Sequence, residues 1–467
     1  MASRTKNTYL NIALGYIAQF GILILSFVGR KIFLHFLSTE YLGINGLYSN
    51  ILSILSFAEL GLDSAVVFAL YKPVADGDVK LASSLVRYFK KIYFILGGAI
   101  LTIGLSIIPL LPHIINSDLL IKDLVLYYLL FLINVIVSYF TAHKIAVLSA
   151  YQEYRVHRII TLIINLLLQV AHIVILLIFK NYYAYVITSV VSTLLTNVCI
   201  SVICSKRHKA LFLCRETVCF DKKIINKNIT SSFLYRIGNA AINSTDNILI
   251  SALVSTAAVG LYSNYYTIIY AAQGFIAVIT SSMINGIGNL AATGDVRKQK
   301  QLFKMLILFY SIIGTIGFVG FTFLFNSVIV LWVGPSYTFS SEIVAIIALN
   351  FFISTIFTPV WMFTEANGYF QKTKYILLIR AAINLVLSII LGKVQGVFGI
   401  FLATTISFCL TSLWYEPYIL FKYVFKESVT VLFCFKGKYC FKKMINIIGF
   451  QFGIHKEDLL YFNTLKF

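Results

Sequence analysis

The polar residues of this 467-residue chain that could do chemistry gather on single faces of otherwise apolar stretches. Arg236, Asn239, Asn243, Asp246 and Asn247 fall within about 100° of a helix circumference. Ser53, Ser56, Glu59 and Asp63 share a face about 120° wide by the same count. Asn11, Gly15, Gln19, Ser26 and Arg30 align on a third helix. Arg158, Asn165, Gln169 and His172 align on a fourth, and Arg380, Asn384 and Ser388 on a fifth. No phosphate-binding P-loop, nucleophile elbow, HExxH pair or zinc triad accompanies them, so a catalytic constellation is not expected. Amides and hydroxyls on such faces can join helices through hydrogen bonds, and Ser, Thr and isolated Asn fit that role. Arg236, Asp246, Glu59, Asp63 and Arg30 fit a wet cavity better, because neutral side chains would join helices at lower cost. Arg236 and Asp246 lie ten positions apart, roughly 15 Å along a helix, too far to pair directly. Arg30 and Lys31 could also snorkel to an interface. Glu365 and Glu416 fall near the ends of apolar stretches and are read as solvated, and His172 alone is a weak proton site.

The elements that must carry these faces follow from composition. Hydrophobic residues make up 59% of the chain and charged residues 12%. The mean hydropathy is +0.87. Such a chain cannot cover itself with a polar surface, so it reads as a polytopic membrane protein. The first apolar stretch is too long for a cleavable signal and runs straight into more apolar sequence. The net charge of +20 would suggest nucleic acid in a soluble protein, but here it follows topology, and no nucleic-acid partner is expected. Seven cysteines include no CxxC pair, and their spacing fits no zinc module. They read as reduced thiols, and no metal site is expected.

A bilayer span needs about 17–25 largely apolar residues. Twelve are predicted, near 9–36, 42–70, 85–112, 120–148, 156–179, 182–204, 229–254, 257–287, 302–332, 341–366, 371–391 and 394–424. With the N-terminus in the cytoplasm, the N-terminus, the even-numbered connections and the tail hold 31 of the 38 Lys and Arg residues. The seven others are Arg30, Lys31, Lys122, Lys180, Arg236, Arg380 and Lys393. Both termini are therefore expected inside, and the outer connections are short. GLYSN occurs at 46–50 and again at 260–264, opening the second and eighth spans. Just before each stand LSTEYLG (37–43) and VSTAAVG (254–260), which align three residues out of register with the pentapeptide. Six spans per half keeps both halves facing the same way, a parallel repeat of the kind found in transporters that rock two bundles about a central site. The predicted fold class is therefore all-α, two six-helix lobes. Residues 1–205 form the first lobe, 206–228 a basic cytoplasmic linker, 229–424 the second lobe and 425–467 a basic tail.

RKIFLHFLSTEYLG (30–43), FAELGLDSAV (57–66) and RIGNAAINSTDNILISALVSTAAVGLYSNYY (236–266) resemble the polysaccharide-transporter family. These are Wzx-type flippases of lipid-linked oligosaccharide repeat units, within the superfamily that also holds multidrug antiporters and the lipid II flippase. The likeness covers about residues 5–425. It implies two six-helix lobes in a V that open alternately to each face of a bacterial plasma membrane. It implies as substrate an undecaprenyl-pyrophosphate-linked glycan, of capsule or O-antigen type, with membrane lipid around the tail and a polysaccharide polymerase as candidate partner. Arg30, Arg236 and Arg380 would then meet the pyrophosphate, since Arg pairs with phosphate oxygens. Asn239, Asn243, Asp246 and Asn247 would meet the headgroup. Glu59 and Asp63 are the candidate sites for a coupling ion, Na+ or H+; no cofactor is expected. Family members usually carry fourteen spans, whereas VTVLFCF (429–435) and MINIIGFQFGI (444–454) are too short to cross, so the tail is expected to be cytoplasmic or interfacial. The competing readings are a multidrug or cation antiporter of the same fold, a membrane glycan polymerase or ligase, and a channel or scaffold. An antiporter of cationic drugs would want an acidic cavity, and a polymerase a substantial outer loop.

Overall fold

The computed structural model describes residues 21, 23–56, 66–67, 69–71, 73–151, 153–214, 216, 218, 220, 245–292 and 295–426. Every regular element among them is helical. Helix α1 covers 23–36, α2 Thr39–Leu55, α3 Val79–Ile107, α4 Ile121–Ala150, α5 Tyr154–Phe179 and α6 Tyr182–Arg207. Helix α7 covers 245–253, α8 Thr256–Ala292, α9 Val296–Trp332 and α10 Ser341–Ala366. A long helix, Phe370–Leu410, breaks at Gly396 and is treated as α11 before the break and α12 after it. Gly396 holds φ 59° and ψ −135°, a backbone region that side chains with a Cβ avoid. Helical residues stand at all twelve places where a span is predicted. Seven described helices are long and apolar enough to cross a bilayer by themselves, which makes the chain an all-α polytopic membrane protein.

The internal repeat is visible in the local chemistry of the chain. Asp78 caps α3 by accepting from the Leu81 amide at 2.9 Å, with φ −76° and ψ 84°. Asp295 caps α9 by accepting from the Lys298 amide at 3.0 Å, with φ −76° and ψ 85°. The two aspartates are 217 positions apart, each within Gly-Asp-Val. Tyr48 and Tyr265, at the same separation, are both fully buried, and so are Phe33 and Ile250. The true register is thus the one set by LSTEYLG and VSTAAVG. The GLYSN match, offset by 214, corrects to a coincidence displaced by three residues. Its first tyrosine, Tyr48, is buried against the Leu124 carbonyl at 2.8 Å, whereas Tyr262, the second, lines a cavity. A shift of three residues keeps almost the same helix face, so two helices with similar packing demands can produce such a match.

Core residues fall into separate groups on either side of the repeat. One cluster runs from Phe33 to Leu211. Two others are drawn from Ile250–Phe401 and Ile287–Phe425. Lipid offers no hydrophobic drive between helices, so polar bonds and close packing hold each lobe together. Asn197 donates to the Val137 carbonyl at 3.0 Å and meets Thr141 at 2.7 Å, joining α4 to α6. Asn350 donates to the Phe401 carbonyl at 3.0 Å and accepts from Thr405 at 2.9 Å, joining α10 to α12. Each such bond contributes about 0.6 kcal/mol on average. These neutral groups serve the joining role expected for isolated Asn and Thr.

The lobes meet along α2 and α8. A Cβ on Gly43 would stand 1.9 Å from the Thr256 carbonyl oxygen, and one on Gly260 would stand 2.1 Å from the Thr39 carbonyl oxygen. Only glycine permits these two backbone approaches. Beside them Asn116 accepts from the Thr256 amide at 3.0 Å and donates to the Val254 carbonyl at 3.1 Å. Ser117 donates to Glu40 at 2.9 Å. The α1–α2, α3–α4 and α7–α8 connections therefore converge at one end of the bundle, the end whose connections carry few basic residues.

Candidate functional site

Two polar centres emerge from these helices. The first crosses the lobe contact. Arg30, on α1, donates to the Ser263 hydroxyl at 2.9 Å and to the Thr267 hydroxyl at 3.2 Å, both on α8 of the other lobe. Both partners are neutral, and no carboxylate lies within ion-pair distance of Arg30 among the described residues. On α7, Asn247 turns toward the same contact, its amide nitrogen 3.8 Å from the position a Cβ would take on Gly46.

The second centre is a cavity of about 590 Å³ within the second lobe. Aromatic side chains of Tyr262, Tyr266, Phe357, Trp361 and Phe408 line it, with Gln273 and Asn350 as amides. Its charges are Asp246 from α7, Arg380 from α11 and Glu416 from Ser412–Leu420, the helix that follows α12. The Arg380 guanidinium lies 4.7 Å over the Phe408 ring. Its charge interacts with those of Glu416 and Asp246. Behind Asp246 stands a set of oxygens. The Thr404 hydroxyl donates to Asp246 Oδ2 at 3.4 Å and accepts from Asn384 Nδ2 at 3.0 Å. Asp246 Oδ1, Asn384 Oδ1 and Ser388 Oγ are buried without a hydrogen-bond partner. Leaving such atoms unpaired is costly, and a small hard cation would satisfy several at once.

The sequence-predicted residues divide between these centres. Arg380 and Asp246 line the cavity, Asn384 reaches its wall through Thr404, Ser388 is buried one turn further along α11, and Arg30 and Asn247 meet at the lobe contact. Arg30 and Arg380 therefore stand in different surroundings rather than on one anion. Arg236, Asn239, Asn243, Glu59, Asp63 and residues 427–467 of the tail lie outside the described residues. Glu416 is a correction: it was expected in solvent, and it is 6% exposed inside the cavity. The span itself was predicted to reach 424; what differs is the direction of its end, where helix resumes at Ser412 and turns Glu416 inward to the cavity that holds Arg380. Thr404 was also missed. Its hydroxyl reaches back to the Ile400 carbonyl at 3.4 Å, so its sequence signal is that of any helical threonine. Tyr262 and Tyr266, one turn apart on α8, were missed as well.

A sequence profile described as polysaccharide biosynthesis protein matches residues 9–284. No curated protein matches in sequence. Among solved structures, the fold is similar to an inward-facing multidrug resistance MATE family transporter of the MOP superfamily, with TM-score 0.68 and 14% identity over 83% of this chain and 93% of that one. It is also similar to the lipid II flippase MurJ in an inward closed conformation, with TM-score 0.61 and 16% identity over 97% of this chain and 94% of that one. A third similar structure is a MOP superfamily transporter from Pyrococcus furiosus, with TM-score 0.56 and 13% identity over 88% of this chain and 96% of that one.

Proposed function

Because the chain belongs to the family of polysaccharide biosynthesis proteins, we propose that it flips undecaprenyl-pyrophosphate-linked oligosaccharide repeat units from the inner to the outer leaflet of a bacterial plasma membrane. The mechanism is alternating access, with both termini in the cytoplasm. The observation that supports this reading best is Arg30. A guanidinium at a lobe contact, satisfied among the described residues by two hydroxyls, can exchange them for phosphate oxygens at little cost. An anion there strengthens a bond that the empty contact makes weakly, and so couples binding to the arrangement of the lobes. Arg236, on the stretch leading into α7, would approach the same cleft. The aromatic and amide lining of the second-lobe cavity suits sugar rings and hydroxyls.

The coupling ion fits the oxygen set of Asp246, Asn384 and Thr404, which is neutral but for one carboxylate. That composition suits an alkali cation, carried as a substrate of the transport cycle. The two carboxylates of the cavity also leave room for the cation-antiporter reading, but Arg380 between them opposes a second bound cation.

The experiment is complementation. In a strain lacking its own flippase, the wild-type chain should restore growth and clear accumulated lipid-linked intermediates. Arg30→Ala should abolish clearance, and Arg30→Lys should retain part of it, since charge survives and the planar fork does not. Normal clearance by Arg30→Ala at wild-type abundance would remove the arginine from the mechanism.

A further inference from the structure

We propose that the crevice between α3 and α4 holds one anionic phospholipid of the surrounding leaflet, its acyl chain in the crevice and its phosphate on Lys90 and Lys144. The crevice encloses about 230 Å³. That is below the roughly 300–1,000 Å³ of pockets for compact ligands, so it suits a segment of chain rather than a headgroup. Tyr93, Gly97 and Tyr139 form its buried floor, and Phe94 and Phe140 form exposed walls. The two walls stand edge-to-face at 4.9 Å. The notch exists because Gly98 lacks a side chain: a Cβ there would meet nothing within 4 Å.

The occupant's charge is written at one end. Lys90 lies one turn before Phe94 on α3, its ammonium 5.8 Å from that ring. Lys144 lies one turn after Phe140 on α4. Because the helices run antiparallel, both lysines stand at the same mouth, near enough for their charges to interact. Lys144 is held by the hydroxyls of Ser201 and Ser205, the latter at 2.9 Å, and no carboxylate pairs with either lysine among the described residues. From Lys91 to Leu110 the chain runs about 20 residues, the length of one bilayer crossing, so the lysines sit at headgroup level. Basic pockets between membrane helices at that depth recruit anionic headgroups, at about 1 kcal/mol per cation near the surface.

The second lobe supplies an internal comparison. By the 217-residue register, Thr315 stands for Gly98 and Ile307 for Lys90. The Thr315 side chain, whose hydroxyl donates to the Ser311 carbonyl at 2.8 Å, stands where Gly98 leaves open space. The same fold therefore has neither the notch nor the Lys90 cation in its other copy, so the crevice belongs to the first lobe's sequence and not to the architecture. This inference does not depend on the identity of the transported glycan.

The test uses the purified full-length chain and native mass spectrometry, with phosphatidylglycerol, phosphatidylcholine and undecaprenyl phosphate as probes. Wild type should retain one phosphatidylglycerol at least tenfold better than phosphatidylcholine. Gly98→Leu, which fills open space, and Lys90→Gln, on an exposed side chain, should each lower that retention about fivefold or more; Leu331→Phe, on a lipid-facing surface of the other lobe, should not. Equal retention of the two phospholipids, or unchanged retention in both crevice variants, would mean annular lipid only and overturn the proposal. Displacement of phosphatidylglycerol by an equal concentration of undecaprenyl phosphate would reassign the crevice to the carrier lipid and overturn it as well.

Discussion

Substituting alanine at Gly43 or Gly260 should loosen the lobe contact by an amount that follows from the geometry. A Cβ at Gly43 would lie 1.9 Å from the Thr256 oxygen and one at Gly260 would lie 2.1 Å from the Thr39 oxygen, whereas ordinary contact begins at 3.4 Å. The obstacle is backbone in both cases, so no side chain can rotate away. Helices α2 and α8 must separate by the shortfall, 1.5 or 1.3 Å. Overpacking of this kind costs about 1–3 kcal/mol. Applied to one of two lobe arrangements, that shifts the balance about 5–150-fold toward the arrangement in which α2 and α8 part at this end. Separation forced by one alanine also makes room for the other. The double variant should therefore cost clearly less than the two single variants together, with an interaction term of about 0.5–3 kcal/mol. A disulfide between Asn116→Cys and Ser255→Cys, in a chain whose seven native cysteines are replaced, reports the closed contact. Cross-linking yield should fall in each alanine variant while abundance in the membrane stays normal. Wild-type yields in both variants would refute the claim that these glycines set the approach, and strictly additive losses would refute the shared separation.

Three further outcomes are expected. Asp246→Asn should weaken dependence of transport on the coupling cation by at least the roughly 10–100-fold that losing an outer-shell partner costs a metal site, measured by titrating Na+ against flipping in vesicles; unchanged titration would move the ion elsewhere. Hydrogen bonds donated by Lys298, first by its backbone amide and then by its ammonium, hold the Asp295 carboxyl below its ordinary value of 3.8. A depressed acid stabilises the fold above its unfolded value and loses that contribution as pH falls through the folded one, so thermal melting of wild type should drop at acid pH more than that of Asp295→Asn, which keeps the cap without the titration. Asp118→Cys, on the α3–α4 connection, should react with an impermeant thiol reagent from outside, and Lys298→Cys should react only after permeabilisation; the reverse pattern would invert the proposed orientation.

The fold was legible because a bilayer imposes length and hydropathy on every span, and the charge pattern then alternates along the chain. The α11 face of Arg380, Asn384 and Ser388 was legible for a related reason: polar groups in an apolar helix have few other uses. What the residues did not disclose was partnership. Glu416 was misplaced because the apolar run marks where the span ends but not that this end turns inward to the cavity of Arg380 and Asp246. Thr404 carries no signal of its own, and its meaning comes from Asp246 and Asn384, 158 and 20 residues away. The repeat was detected by its weaker clue as well as its better one, and only packing distinguished them. Periodicity places a residue on a face but cannot name what the face meets.

The contact between the lobes has the form of an isologous interface. Gly43 meets Thr256 and Gly260 meets Thr39, so one surface patch is used twice, as across the twofold axis of a homodimer. An ancestral half-length chain could have paired through this patch before duplication joined two copies. In such a dimer any residue near the axis appears on both sides, and a cation or an acid there would face its own image. Joining the copies ended that constraint. In the 217-residue register Arg30 now occupies the place that Asn247 holds in the other half, and Asp246 the place of Gly29. One half has thereby become cationic and the other acidic at a single level of the molecule, a division of labour that identical subunits could not have reached.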